Sequence, residues 1–309
     1  MWFCKTVRGK GNMKYKKLQG VKLPVLCIGS WTSLWNEMEG PKTPEDRQAC
    51  LDSIKQAIKL GITHIDTAEL YGMGKSEEII GEAIKDIDRK SLFITSKVAG
   101  NHLDSDSIHQ AIDKSLQRLG TDYLDLYLVH WANDKIPLSE TMPAMCELID
   151  SGKIKYIGVS NFSVEQMKEA QKHSTYPLLT NQVEYNVLAR GQANRGGPTS
   201  EILQYCRENE MFLTAYRPIM MKDQVTKKQK LIAGLGIPKL EEIAKKYQKT
   251  PSQIILNWLT SQENVIVAFT STSEKNIEDN VNALDFELQT EDKIYLDNQF
   301  PKDAEPYLK

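Results

Sequence analysis

Three apolar runs of this chain end in residues that can handle protons. Ile62-Thr63-His64-Ile65 ends in Asp66, with Tyr71 five residues on; Leu92-Phe93-Ile94-Thr95-Ser96 ends in Lys97; Leu126-Tyr127-Leu128-Val129 ends in His130. Taken singly, each has an ordinary explanation: a helix-capping carboxylate, a solvated ammonium, a packed phenol, an imidazole bonded between strand and loop. Together, at the ends of consecutive strands, they form a proton-handling set. A phenol titrates near ~10, too high for easy exchange at neutral pH, and an adjacent ammonium favours its ionised form. Lys97 can supply that charge while Asp66 holds it in place. A neutral His130 can hydrogen-bond a carbonyl oxygen and orient it toward Tyr71. The set suits carbonyl reduction.

Such a set needs strands that end together. Short β-branched or apolar runs alternate with segments of helical periodicity almost to the end of the chain, the pattern of repeated βα units around a parallel sheet. Candidate strands are Val25 to Ile28, Ile62 to Asp66, Leu92 to Ser96, Leu124 to Val129, Ile154 to Val159, Leu178 to Gln182, Phe212 to Tyr216 and Val265 to Ala268. About eight strands of an α/β chain predict a (β/α)8 TIM barrel, with its active site at the C-terminal strand ends. Helix starts are marked by Thr43-Pro44-Glu45-Asp46, by Ser163 with Gln166, and by Thr250-Pro251 with Gln253. Tyr15 to Leu23, with Gly20 near its centre, reads as a short N-terminal β-hairpin that plugs one end of the barrel. Residues 190–199 and Met220 to Pro238 read as loops, with no composition shift that would mark a linker.

Composition narrows the classes. The 309 residues are 40% hydrophobic and 26% charged, an ordinary globular balance, and the mean hydropathy is −0.44. Lys and Arg number 39 against 41 Asp and Glu, a net charge of −2, so no global basic field exists to hold nucleic acid or an anionic membrane. Five scattered cysteines without C-x-x-C pairs indicate neither a disulfide framework nor a metal site, and a reducing cytoplasm fits best. No stretch has the length and apolarity to span a bilayer. Residues 1–12 read as an upstream extension or disordered tail, and residues 13–309 as one barrel domain.

From Met13 onward the chain resembles an aldo-keto reductase. Gly61-Ile-Thr-His-Ile-Asp66-Thr-Ala-Glu-Leu-Tyr71-Gly, followed by Glu77 or Glu78 and Gly81, resembles the first signature of that family. Leu128-Val-His130-Trp131 resembles the strand that delivers its histidine. The resemblance puts Asp66, Tyr71, Lys97 and His130 on the family's catalytic tetrad, with Tyr71 as general acid or base. It assigns Ser160, Asn161 and Gln182 to a nicotinamide carboxamide and Tyr216 to stacking beneath the ring. Arg217 stands where the family commonly has Ser and could add a pyrophosphate contact. Thr270, Ser271, Thr272, Asn276 and Asn280 fall on the adenosine-phosphate loop and the helix after it. NADPH-preferring members carry a lysine and an arginine at the positions of Thr270 and Asn276, so NADP(H) is only slightly favoured, with NAD(H) or dual use open. Trp31, Trp35 and Trp131 sit beyond the first and fourth strands, and Trp31 and Trp131 are candidates to line a substrate pocket.

The expectation is a cytoplasmic NAD(P)-dependent oxidoreductase acting on an aldehyde or ketone, or on the alcohol in reverse, with Tyr71 as proton donor. Its partner is a small carbonyl or alcohol substrate; no nucleic acid, membrane or metal is expected, and the oligomeric state stays open. Two rivals remain: a cofactor-binding regulatory subunit with slow turnover, like barrel-type channel auxiliary proteins, and a barrel hydrolase or aldolase with Lys97 as nucleophile.

Overall fold

The computed structural model describes residues 5–8, 13–30, 35–36, 40–189, 199–222 and 229–304. Eight parallel strands close into a barrel in strict chain order. They are β1 (Leu26–Gly29), β2 (His64–Asp66), β3 (Phe93–Val98), β4 (Leu124–Val129), β5 (Ile154–Ser160), β6 (Leu178–Glu184), β7 (Phe212–Tyr216) and β8 (Val265–Phe269). All eight expected strands form, with shifts only at their ends. β2 starts two residues later than the apolar run because the N–H of Ile62 still bonds the Ala57 carbonyl of the preceding helix (2.9 Å).

Helices follow the strands, and the starts of three of them are readable in the chain. In α1 (Pro44–Lys59) the Thr43 hydroxyl accepts from the Asp46 N–H, and Cys50, Leu51, Ile54 and Ala57 are buried on one stripe. α2 (Lys75–Ile84), α3 (Ser105–Leu119) and α4 (Leu138–Asp150) follow β2, β3 and β4, and α5 (Val164–Lys172) starts with the Ser163/Gln166 capping box. α6 (Thr199–Glu208) follows β6, while α7 (Pro238–Tyr247) and α8 (Pro251–Ser261) separate β7 from β8. Thr250 and Gln253 form the capping box of α8, and α9 (Glu274–Val281) follows β8.

The N-terminal end of the barrel is stoppered. Strands Lys14–Leu18 and Val21–Pro24 pair antiparallel, and Leu18, Val21 and Leu23 pack against Leu126, Leu179, Phe212 and Ile266 inside the barrel. Lys16 is fully buried there, its ammonium donating to the carbonyls of Gln262 and Val265. That solution avoids the cost of an unpaired buried charge. Residues 5–8 pair antiparallel with 14–17 and add a third strand that the chain's composition does not signal. The expected loop from Met220 to Pro238 instead contains a two-stranded ribbon, Met220–Lys222 with Gln229–Leu231. Residues 190–198, 223–228 and Trp31 lie outside the described residues, and Trp35 lies in a short ribbon with Gly40–Pro41. Among the described residues, no helix is long and apolar enough to cross a membrane.

Candidate active site

Asp66, Lys97 and His130 stand at the C-terminal ends of β2, β3 and β4, so parallel closure delivers them to one mouth. Tyr71 comes from the turn that follows β2. That turn reverses direction through three successive residues of positive φ: Gly72 (58°), Met73 (53°) and Gly74 (92°). Glycine suits the last of these twice over, because a Cβ at Gly74 would also lie 2.6 Å from the Arg118 side chain. Beneath the turn, the fully buried carboxylate of Glu77 accepts from Ser96 and from Arg118, both at 2.6 Å. This fixes the start of α2 to the residue preceding Lys97. Glu77 is therefore the buried acid of the signature, while Glu78 pairs with Lys75 at the surface (2.8 Å).

The Lys97 ammonium is fully buried and meets three acceptors: Asp66 Oδ1 at 2.6 Å, the Thr67 carbonyl at 2.7 Å and the Tyr71 hydroxyl at a longer 3.4 Å. Burial opposes its charge, but Asp66 and Tyr71 outweigh burial and hold its pKa above the ordinary lysine value. An ammonium so held is a poor nucleophile at neutral pH, which removes the support for a Schiff-base mechanism. Tyr71 departs from the simple expectation. Lys97 and Arg217 do pull its pKa down, yet burial acts more strongly and Asp66 adds to it, so the phenol ends above its ordinary value. It keeps its proton at neutral pH and is set up to give it rather than to take one. The His130 ring meets the Tyr71 ring edge to face, with centroids 5.8 Å apart. Trp131 lies 4.5 Å from His130, centroid to centroid, and against the backbone of Gly100, where a Cβ would come within 2.2 Å of the indole nitrogen.

The second group of expected residues closes the other side of the mouth. Ser160 and Gln182 are buried at the ends of β5 and β6, and Asn161 and Arg217 follow β5 and β7 in left-handed conformations, φ 61° and 50°. Non-glycine residues of this conformation cluster at functional sites. They are knitted together. Tyr216 donates to Asn161 Oδ1 (2.9 Å); Asn161 Nδ2 donates to Ser160 Oγ (3.0 Å) and to the His130 carbonyl (3.1 Å); Ser160 Oγ donates to the Gln182 carbonyl (2.9 Å). Arg217 pairs with Glu184 at 3.2 Å, a contact the sequence does not announce because its partner lies on the neighbouring strand.

A third set follows β8. Thr270, Ser271 and Thr272 wall a narrow cleft with Gly29, Ser30 and Ser53. Ser271 Oγ accepts from the Ser273 N–H (3.1 Å), and Ser273 caps α9 by accepting from the Asn276 N–H (3.4 Å). Asn280 is buried one turn further along α9. Ser30 links this cleft to the tetrad, its hydroxyl donating to the Asp66 carbonyl (3.1 Å) and accepting from Ser76 (2.6 Å). Sequence reasoning missed Ser30 and Ser76; the only signal was their hydroxyl type beside β1 and at the start of α2.

Chemically, the mouth offers a proton on a phenol beside a fixed cation, an imidazole facing that phenol, and neutral amide and hydroxyl groups next to an aromatic ring. Comparison with known proteins agrees with this reading. The model of the Aldo/keto reductase family matches residues 25–298. An NAD/NADP-dependent indole-3-acetaldehyde reductase of Schizosaccharomyces pombe is 34% identical over 284 residues, 90% of this chain and 91% of that protein. A glyoxal reductase of Bacillus subtilis is 35% identical over 255 residues, 82% of this chain and 84% of that one. A solved aldo/keto reductase from Klebsiella pneumoniae, in complex with NADP and acetate, superposes with a TM-score of 0.76 at 29% identity, covering 92% of this chain and 93% of that one. The family match takes in all eight strands and every described residue of the site, and the chain belongs to the aldo/keto reductase family.

Proposed function

We propose that the protein is an NAD(P)H-dependent carbonyl reductase that converts small aldehydes or ketones to alcohols, with Tyr71 as proton donor. The observation that carries this reading is the buried Asp66–Lys97 pair beside a Tyr71 that holds its proton. His130 receives the carbonyl oxygen and sets it against the Tyr71 hydroxyl. As Tyr71 releases its proton, the adjacent Lys97 ammonium stabilises the phenolate left behind, and Asp66 keeps that ammonium in place. Trp131 walls the substrate side next to His130.

The residues present fit a nicotinamide dinucleotide. Ser160, Asn161 and Gln182 can orient a carboxamide without adding charge, and the ring of Tyr216 can lie under a planar heterocycle. Arg217 brings a guanidinium suited to a diphosphate, Thr270, Ser271, Thr272 and Asn276 flank the N-terminal turn of α9, and Asn280 is buried one turn further along it. When bound, the reduced nicotinamide supplies hydride to the carbonyl carbon. NADP(H) is slightly favoured, with dual use supported by a relative that is named for both cofactors. Relatives named for glyoxal and indole-3-acetaldehyde direct the substrate reading toward small aldehydes. Cys27, Cys50, Cys146 and Cys206 are buried and not joined in disulfides, which suits a reducing cytoplasm. The test is to follow reduced-nicotinamide absorbance with glyoxal, methylglyoxal and aromatic acetaldehydes. Aldehyde-dependent oxidation of NADPH or NADH is expected; none with any carbonyl would overturn the reading.

A further inference from the structure

We propose that Gln182 is a positioning residue that ties the cofactor-facing side of the mouth to the proton donor, in addition to any contact with a carboxamide. The inference rests on the carbonyl-reductase reading above and deepens it. β6, which carries Gln182, lies four strands round the ring from β2, which carries Asp66, so their side chains meet across the bore of the barrel. Gln182 Nε2 donates to Asp66 Oδ2 at 2.8 Å, while Lys97 donates to Oδ1 at 2.6 Å. Both acceptor oxygens of a carboxylate only 5% exposed are thereby engaged, one from each side of the mouth.

The orientation of the glutamine amide follows from its partner. A carboxylate accepts and cannot donate, so the NH₂ end of Gln182 must face Asp66, and the carbonyl end remains for a ligand's amide. The main chain of Gln182 is held equally firmly, because its carbonyl accepts from Ser160 Oγ and from the Asn161 N–H, both at 2.9 Å. The result is one continuous path from Tyr216 through Asn161, Ser160, Gln182, Asp66 and Lys97 to Tyr71. The path converges on Asp66, which accepts from Gln182 on one side and from Lys97 on the other, while Lys97 also donates to Tyr71; displacing Gln182 therefore shifts the Asp66 carboxylate and with it the ammonium beside Tyr71. The charged or titratable groups that face Tyr71 are Asp66, Lys97 and Arg217, with His130 against its ring. Of these, Asp66 alone is reached by Gln182.

The test uses Gln182→Met, which keeps length and volume but donates nothing, and Gln182→Glu, which sets a second carboxylate against Asp66. Without the amide, the Asp66 charge is less dispersed and offsets more of Lys97, so Tyr71 holds its proton more tightly. The alkaline limb of kcat for aldehyde reduction should move up by about half a pH unit in Gln182→Met, and further in Gln182→Glu. An unmoved limb accompanied by weaker NADPH binding would show that Gln182 only contacts the cofactor, and would overturn the proposal. Hydrogen exchange of the ligand-free protein gives an answer independent of turnover: residues 67–72 should exchange faster in Gln182→Met than in the parent chain, and equal exchange would count against the proposal. If the parent chain reduces no carbonyl at all, the functional reading fails while the exchange result still decides the role of Gln182.

Discussion

The surroundings of Lys97 and of Ser273 are both polar and both lie at the mouth of the barrel, yet they are built in opposite ways. Lys97 is fully buried, and its charge is compensated by groups delivered from separate elements: Asp66 from β2 and Tyr71 from the turn after it. Around Ser273 the hydroxyls satisfy one another within a few residues, Ser271 with Ser273 and Ser273 with the Asn276 N–H, on a partly exposed loop. A perturbed proton donor needs a site without water and groups held from several directions. Selection among phosphate patterns needs only replaceable charges near the surface. Damage to the first region should therefore reach the fold, and changes in the second should stop at affinity.

The largest effect is expected at Lys97. Lys97→Met leaves Asp66 buried with Gln182 as its remaining side-chain donor among the contacts described above, and should cost about 3–5 kcal/mol of unfolding free energy in urea together with nearly all turnover. Parental stability in this variant would mean that the pair is not desolvated. His64, two residues before Asp66 on the same strand, tests the buried side by pH. Burial pulls its pKa from 6.5 down to about 4, against Asp66 and Asp125. The unfolded chain therefore takes up that proton first, and about 3 kcal/mol of stability present above pH ~6.5 should be lost as pH falls toward ~4. His64→Gln should flatten that acid limb, and an unchanged limb would assign the loss to other groups. On the surface side, Thr270→Lys with Asn276→Arg should raise the NADPH:NADH affinity ratio about tenfold with no change in unfolding. An unchanged ratio would place the reading of the 2'-phosphate elsewhere. The smallest effect is expected for Arg217→Ser: a roughly fivefold loss of affinity for both cofactors alike, since a partly exposed guanidinium facing a diphosphate is worth about 1 kcal/mol. A loss confined to NADPH would contradict that assignment.

Much of this architecture can be read along the chain because it is local. Apolar runs of strand length, capping pairs such as Ser163/Gln166 and polar residues at run ends each carry their signal within a few positions. What cannot be read there depends on closure. The Gln182–Asp66 bond joins residues 116 positions apart, and no local pattern distinguishes an amide aimed at a ligand from one aimed across the bore. The Tyr71 pKa is a balance: the type of Lys97 predicts a downward pull, but the extent of burial, which decides the net direction, exists only once the barrel is formed. The ribbon Met220–Lys222/Gln229–Leu231 was hidden for a different reason, since its strands are only three residues long and show no run of strand length.

The central claim is that Tyr71 gives the proton while other residues hold the cofactor. The most direct measurement compares the parent chain with Tyr71→Phe, titrating each with NADPH and NADH by quenching of tryptophan fluorescence and then adding aldehyde. Similar cofactor affinity is expected in both proteins, with a loss of turnover of about a hundredfold or more in Tyr71→Phe. Near-parental turnover in the variant would contradict it, and so would tight cofactor binding without turnover in the parent chain, which would point to a regulatory subunit.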